Sequence, residues 1–140
     1  MNTVLPRGIR NHNPGNIEHN AANKWRGQLP HEPSVEERFC RFQSAHYGLR
    51  ALAVLLLGYY RRYRLDTVNK LITRYAPSHE NNTRAYVKAV SEALGVKPDQ
   101  PLTPDSRTLQ ALLAAIVRHE NGQMPYKAAQ IAAAVEEALA

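Results

Sequence analysis

The sequence predicts a mainly α domain, α+β in class, with five or so helices and a small irregular or β lobe near its N-terminus. Three observations carry that expectation. From Ser44 onward, apolar residues recur at helical spacing in successive segments. Residues 1–43 lack this period and hold turn-formers and weak alternation instead. A chain of 140 residues that is 44% hydrophobic suits a single domain with one core. The domain is therefore read as 1–140, a loop or β lobe over 1–43 followed by a helical part over 44–140.

The lobe is read from its turns. Asn13-Pro14-Gly15-Asn16 is a strong turn signal, since proline presets one dihedral and glycine accepts a positive φ. Trp25-Arg26-Gly27-Gln28 and Glu37-Arg38-Phe39-Cys40-Arg41-Phe42 alternate weakly, as short strands of a small sheet or hairpin do. Ser44 caps a long helix through about Tyr63. Its wide apolar face, with Ala51, Leu52, Leu55, Leu56 and Tyr59, marks it as the central buried helix. Asp66 or Thr67 caps a short helix holding Val68, Leu71, Ile72 and Tyr75, which Pro77 ends by blocking helical continuation. Asn81 or Asn82 caps a further helix bearing Tyr86, Val87, Val90 and Leu94, stopped at Gly95. After a proline-containing connector, Thr103-Pro104 reads as cap and first turn of a helix that runs to Gly122. Pro125 opens a final Ala-rich helix with Ile131, Val135 and Leu139 on its inner side.

Composition narrows the function classes. The longest uninterrupted apolar run, Ala51 to Leu57, is far too short to span a bilayer, so no membrane insertion is expected. The opening residues show neither a hydrophobic stretch nor a small-residue cleavage site, so no secretory signal is expected. The lone Cys40 excludes an internal disulfide, and the six scattered His show no zinc-like spacing. No metal, no cofactor and a monomeric chain are expected. The net charge of +6 is uneven: residues 1–70 carry eleven Lys/Arg against five acids, and residues 71–140 carry seven of each. A basic half attracts an anionic partner, whether nucleic acid, a phosphate-rich surface or the bacterial cell wall.

The most informative residue for chemistry is Glu120. Stepping back from it by four, seven and eight residues reaches Ile116, Leu113 and Leu112, so the acid shares the buried stripe of its helix. Desolvation disfavours a charged carboxylate, and so does the negative end of the helix dipole; both favour the protonated form that a general acid needs. The alternative is a helix-end glutamate that swings into water or pairs with a nearby arginine.

Four blocks combine around it: Arg7 to Ile17 with Trp25-Arg26-Gly27-Gln28; Phe39 to Ser44 leading to Gly48-Leu49; Arg74-Tyr75-Ala76-Pro77 through Tyr86; and His119-Glu120-Asn121-Gly122 with Pro125-Tyr126. Together they resemble a family of small phage and prophage proteins, often labelled virion or structural proteins, of lysozyme-like, cell-wall-degrading character. The resemblance covers nearly the whole chain. A more distant similarity is to bacterial glucosaminidases and lytic transglycosylases of the lysozyme superfamily. Those begin with a helix ending in a catalytic Glu, followed by an Asn-rich turn, an aromatic strand feeding a helix, and a Tyr-Ala block reaching a second Tyr. The last three appear here in order, as Asn13 to Ile17, Phe39 to Ser44, and Tyr75-Ala76 with Tyr86, while the Glu-bearing helix stands at the back. The arrangement looks like a circular permutation of the lysozyme-like fold, which neighbouring surface termini make feasible.

The resemblance implies a glycosidase, a muramidase or lytic transglycosylase, that cleaves the β-1,4 backbone of peptidoglycan glycan strands with Glu120 as general acid. A classical hydrolase adds a second carboxylate about 5 to 9.5 Å away; Glu80 is best placed by sequence, or is simply a solvated loop acid. Tyr86 resembles the tyrosine that supports the transition state in such relatives, or is a core residue at helical spacing with Val90. Asn13, Asn16, Trp25, Tyr75 and Tyr126 are candidates to line a sugar groove, by amide hydrogen bonds and aromatic faces. For Asn13 and Asn16 the turn alone suffices as explanation, and for Trp25 a lobe-anchoring role does. His119 flanks the acid or offers an alternative proton-transfer group. Such a protein would be made in the host cytoplasm and act on the wall from the periplasm or within a virion, beside other virion proteins.

Two rival readings stand. One is a non-catalytic virion component that keeps the fold without the chemistry. The other is a nucleic-acid-binding module built on Arg61-Arg62-Tyr63-Arg64 and on Arg84 and Lys88. The second is disfavoured because the link from Tyr75 to Asn82 exceeds a helix-turn-helix turn and the second half has no net charge.

Overall fold

The computed structural model describes residues 5–77 and 82–140. Among them the chain forms α1 (Arg7–Arg10), an irregular lobe, α2 (Ala45–Tyr63), α3 (Val68–Tyr75), α4 (Thr83–Leu94), α5 (Ser106–Asn121) and α6 (Ala128–Leu139). The protein is mainly helical, and no helix among the described residues is long and apolar enough to cross a membrane. Several boundaries follow from local chemistry. Thr67 caps α3 by accepting from the Lys70 N–H at 3.1 Å, and Asn82 caps α4 by accepting from the Ala85 N–H at 3.1 Å. Gly95 and Gly122 end α4 and α5 in the left-handed region, with φ of +69° and +71°.

Four local expectations need correction. The short helix α1 escaped notice because four residues are too few to show an apolar period. α5 begins after Asp105, not at Thr103-Pro104: the Asp105 carboxylate accepts from the Thr108 N–H at 2.9 Å, which holds that carboxyl below its ordinary value. α6 begins at Ala128, not Pro125, because the linking backbone first tucks Met124 and Tyr126 against the core. No β ladder forms among the described residues; Glu18 bridges Phe39 and Gln28 bridges Phe42, each in isolation. The segment 38–43 is thus flanked on two sides. Cys40 N–H donates to Ile17 and His19 N–H to Arg38 (both 2.9 Å), while Leu29 N–H donates to Arg41 (2.8 Å) and Gln43 N–H to Gly27 (2.9 Å). Each pairing is too brief to register as strand.

The central helix is α2, whose Leu49, Ala51, Leu52, Ala53, Leu56 and Leu57 are all buried. It packs most extensively against α6; α5 packs on α4 and α6, and α3 on α4. Each fully buried Leu or Ile contributes roughly 1.5–3 kcal/mol relative to exposure. The lobe adds Ile17, Cys40 and Phe42 to the same apolar cluster. Burial pushes the Cys40 thiol up to about 11, so the side chain stays a neutral core group. Gly48 allows the lobe to seat on α2, because a Cβ there would collide with the His12 carbonyl oxygen. Glu36 fastens the lobe internally. It is buried, takes a bidentate pair from Arg7 at 2.7 and 2.5 Å, and accepts at 3.0 Å each from the Asn11 amide and the Arg38 and Phe39 N–H groups.

Candidate functional site

Glu120 lies in the last turn of α5, above the buried stripe of Leu109, Leu112, Leu113, Ile116 and Val117. Its neighbour Asn121 is buried and aims its amide inward, donating to the Val117 carbonyl at 2.9 Å and to the Pro14 carbonyl at 2.8 Å. That second bond ties the Asn13–Asn16 turn to the end of α5. Asn13 holds the turn from within: its amide donates to Ile17 (2.9 Å) and Cys40 (3.0 Å), and its carbonyl oxygen accepts from the Ile17 N–H (3.0 Å). The Tyr75 hydroxyl donates to the Gly15 carbonyl from α3. Gly15 admits this approach because a Cβ there would meet that hydroxyl at 2.7 Å and Leu52 at 3.0 Å. Asn16, at φ +51°, takes the left-handed turn position that asparagine tolerates. So placed, its Nδ2 donates to Glu120 Oε1 at 2.9 Å.

The acid opens onto a cleft of about 630 Å³, within the usual size of small-ligand sites. The lobe contributes Trp25, Arg38 and Phe39, α2 and α3 contribute Tyr59, Arg74 and Tyr75, and α5 contributes Glu120. One further acid among the described residues lines it: Glu18, paired with Arg38 at 2.6 Å. Among the described residues no lysine, arginine or histidine forms an ion pair with Glu120. No group of three or more His, Cys, Asp or Glu gathers among them as a metal site requires.

Two tyrosines border the acid. Burial raises the Tyr75 hydroxyl well above its ordinary value, and the nearby Glu120 charge adds to the effect. Tyr86 is also raised, chiefly by burial and then by Tyr75 and Glu120. Both phenols therefore remain neutral donors. The Tyr86 hydroxyl is fully buried beside the Glu120 carboxyl, yet its geometry falls short of a hydrogen bond and leaves it unpartnered. Its ring stacks on His119 with centroids 3.8 Å apart and planes 27° from parallel. The Asn16 Oδ1 atom is likewise buried and unpartnered. The arrangement can present one carboxyl, held by the Asn16 amide and bordered by two neutral phenols, to a polar ligand in the cleft.

No family model matches the chain. Over 122 residues it is 34% identical to Protein P5 of Pseudoalteromonas phage PM2, a match spanning 86% of this chain and 74% of P5. The chain belongs to the P5 family. That kinship places it in a phage lineage.

In this P5-family chain, Asn16, Trp25, Tyr75 and Glu120 line one cleft. Tyr86 stands behind the acid, not on the cleft surface. Asn13 does not line the groove: it is fully buried and its side chain is consumed by backbone groups. Tyr126 also lies away from the cleft lining, half-buried against the core. Glu80 falls outside the described residues. His119 is exposed and caps the Tyr86 ring without lining the cleft. Asn121, Tyr59 and Arg74 were not singled out for the site. Asn121 was discoverable, since a buried amide at a helix end one residue past the acid must find a carbonyl. Arg74 precedes Tyr75-Ala76 in the sequence, but only packing sets its guanidinium over Tyr59 and Tyr63.

Proposed function

We propose that this P5-family protein cleaves the β-1,4 glycan backbone of bacterial peptidoglycan, as a muramidase or lytic transglycosylase, with Glu120 as general acid. The observation carrying this reading is the Glu120 carboxyl, held by Asn16 at 2.9 Å and bordered by the hydroxyls of Tyr75 and Tyr86, on a cleft lined by Trp25 and Tyr59. Glu120 passes its proton to the glycosidic oxygen as the bond from the anomeric carbon breaks. The resulting carboxylate then takes a proton from the incoming nucleophile, either water or the sugar's own 6-hydroxyl. The aromatic faces of Trp25 and Tyr59 suit sugar rings.

A circularly permuted lysozyme-like fold is part of the proposal. It is supported by the meeting of Asn16 with Glu120, 104 positions apart, and by the place of Tyr75 and Tyr86 beside both. The phage kinship supports a role against the host wall, reached from the periplasm or carried in a virion among its other proteins. The test is Glu120→Gln, which removes the transferable proton and keeps the shape. Solubilisation of purified cell walls should fall by roughly 10²–10⁴-fold with thermal unfolding near wild type. Undiminished clearance would end the reading. Mass spectrometry of the digest separates hydrolysed from 1,6-anhydro ends.

A further inference from the structure

Beyond the acid, the cleft carries a cation placed for a purpose that bond cleavage alone does not require. We infer that Arg74 is a carboxylate-reading residue, selecting glycan strands whose sugars bear acidic substituents over neutral strands; this rests on the peptidoglycan reading of the cleft.

Arg74 lines the cleft from α3. Its guanidinium lies over the Tyr63 ring at 4.1 Å from the centroid and over Tyr59 at 5.3 Å. Stacking on two phenols fixes the plane of the fork and lowers the entropy lost on binding. The other cleft arginine, Arg38, is paired with Glu18, and elsewhere Arg7 pairs with Glu36, Arg26 with Glu137 and Arg41 with Glu32. Among the described residues, Arg74 forms no ion pair with a carboxylate. An oriented guanidinium, exposed in a ligand-sized cleft and not spent on a protein acid, is matched chemically by a planar carboxylate bound through two parallel N–H bonds. A chain of neutral N-acetyl sugars offers none. Peptidoglycan offers two sources: the lactyl group on alternate sugars and the peptides attached there. Arg61, Arg62 and Arg64, at the end of α2 that carries Tyr63, add attraction for the same charge.

The experiment uses full-length Glu120→Gln protein, so that ligands survive, and measures affinity by calorimetry for three strands of equal length. These are chito-oligosaccharide, peptidoglycan strands stripped of peptide to bare lactyl carboxylates, and strands retaining peptide. A preference of about tenfold for an acidic strand over the neutral one is expected, as for one charge-assisted pair. Adding Arg74→Gln should bring that ratio to within about twofold, and Arg74→Lys should restore part of it. The ratio cancels any general weakening of the cleft. Preference for stripped strands assigns the lactyl group; preference confined to peptide-bearing strands assigns the peptide. No preference, or one that survives Arg74→Gln, overturns the inference. So does finding that Arg74→Gln abolishes only salt-sensitive retention of duplex DNA. Wall clearance by the wild-type protein is scored separately. A protein that shows the Arg74-dependent preference without cutting loses its glycosidase reading alone, and one that cuts without preference loses only this inference.

Discussion

One amide decides how Glu120 is presented. Asn16 reaches the acid only because its left-handed backbone turns Nδ2 toward α5. Asn16→Ala is expected to lower wall-clearing turnover by roughly 10²-fold, since a misaligned reacting group costs about that much; steady-state kinetics against the wild type checks it. Tyr86→Phe separates chemistry from folding. The hydroxyl it removes is buried without a partner, so chemical denaturation should show stability changed by under about 1 kcal/mol. If the phenol supports charge developing beside Glu120, turnover should still drop at least about tenfold. At this scale the acid itself was legible, since Ile116, Leu113 and Leu112 set its helical face. Asn13 was legible as a turn-former, and its structure shows it holding that turn and tying it to the Cys40 carbonyl. Arg74 was not, because its orientation depends on Tyr59 and Tyr63, which belong to another helix.

Helices were recovered well wherever an apolar period met a capping residue, as at Thr67, Asn82 and Gly122. They were misjudged where packing set the boundary, as at α6, whose start waits on Met124 and Tyr126 reaching the core. Two glycine substitutions show the same division. Gly122→Ala meets open space but keeps φ +71°, so thermal melts should show a loss of about 1 kcal/mol from backbone strain alone. Gly48→Ala falls in the first turn of α2, where alanine is ordinarily the better helix former. Here its Cβ would strike the His12 carbonyl, and a loss of about 1–3 kcal/mol is expected as the lobe is forced off the helix. A neutral or stabilising Gly48→Ala would mean that the lobe does not depend on that close approach.

For the whole molecule, acid stability should follow the lobe. The Arg7 guanidinium, with help from Asn11 and two backbone N–H groups, holds the Glu36 carboxyl far below its ordinary value. Glu137 is also lowered, first by His46 and then by Arg26, and joins the end of α6 to α2 and to the loop beside Trp25. A depressed folded value means the unfolded chain binds protons first. Stability from these carboxylates is therefore full above the unfolded value of about 4.3 and falls as pH drops below it. Denaturant midpoints across pH 7 to 2 should decline mainly below about pH 4.5. Glu36→Gln should flatten that decline and cost about 2 kcal/mol at neutral pH, less than a fully buried pair because Arg7 is 42% exposed.

By itself the sequence determined the helical class, most caps, the turn at Asn13–Asn16 and the acid at the close of α5. These follow from spacing and local hydrogen bonding, which act within a few residues. Only the tertiary structure decided that Asn16 reaches Glu120 across 104 positions, that Asn13 is consumed by backbone groups of its turn and of Cys40, and that Arg74 stacks on Tyr59 and Tyr63. Those outcomes depend on how α2, α3 and α5 pack around the lobe, and close packing joins residues by shape, which linear spacing does not record.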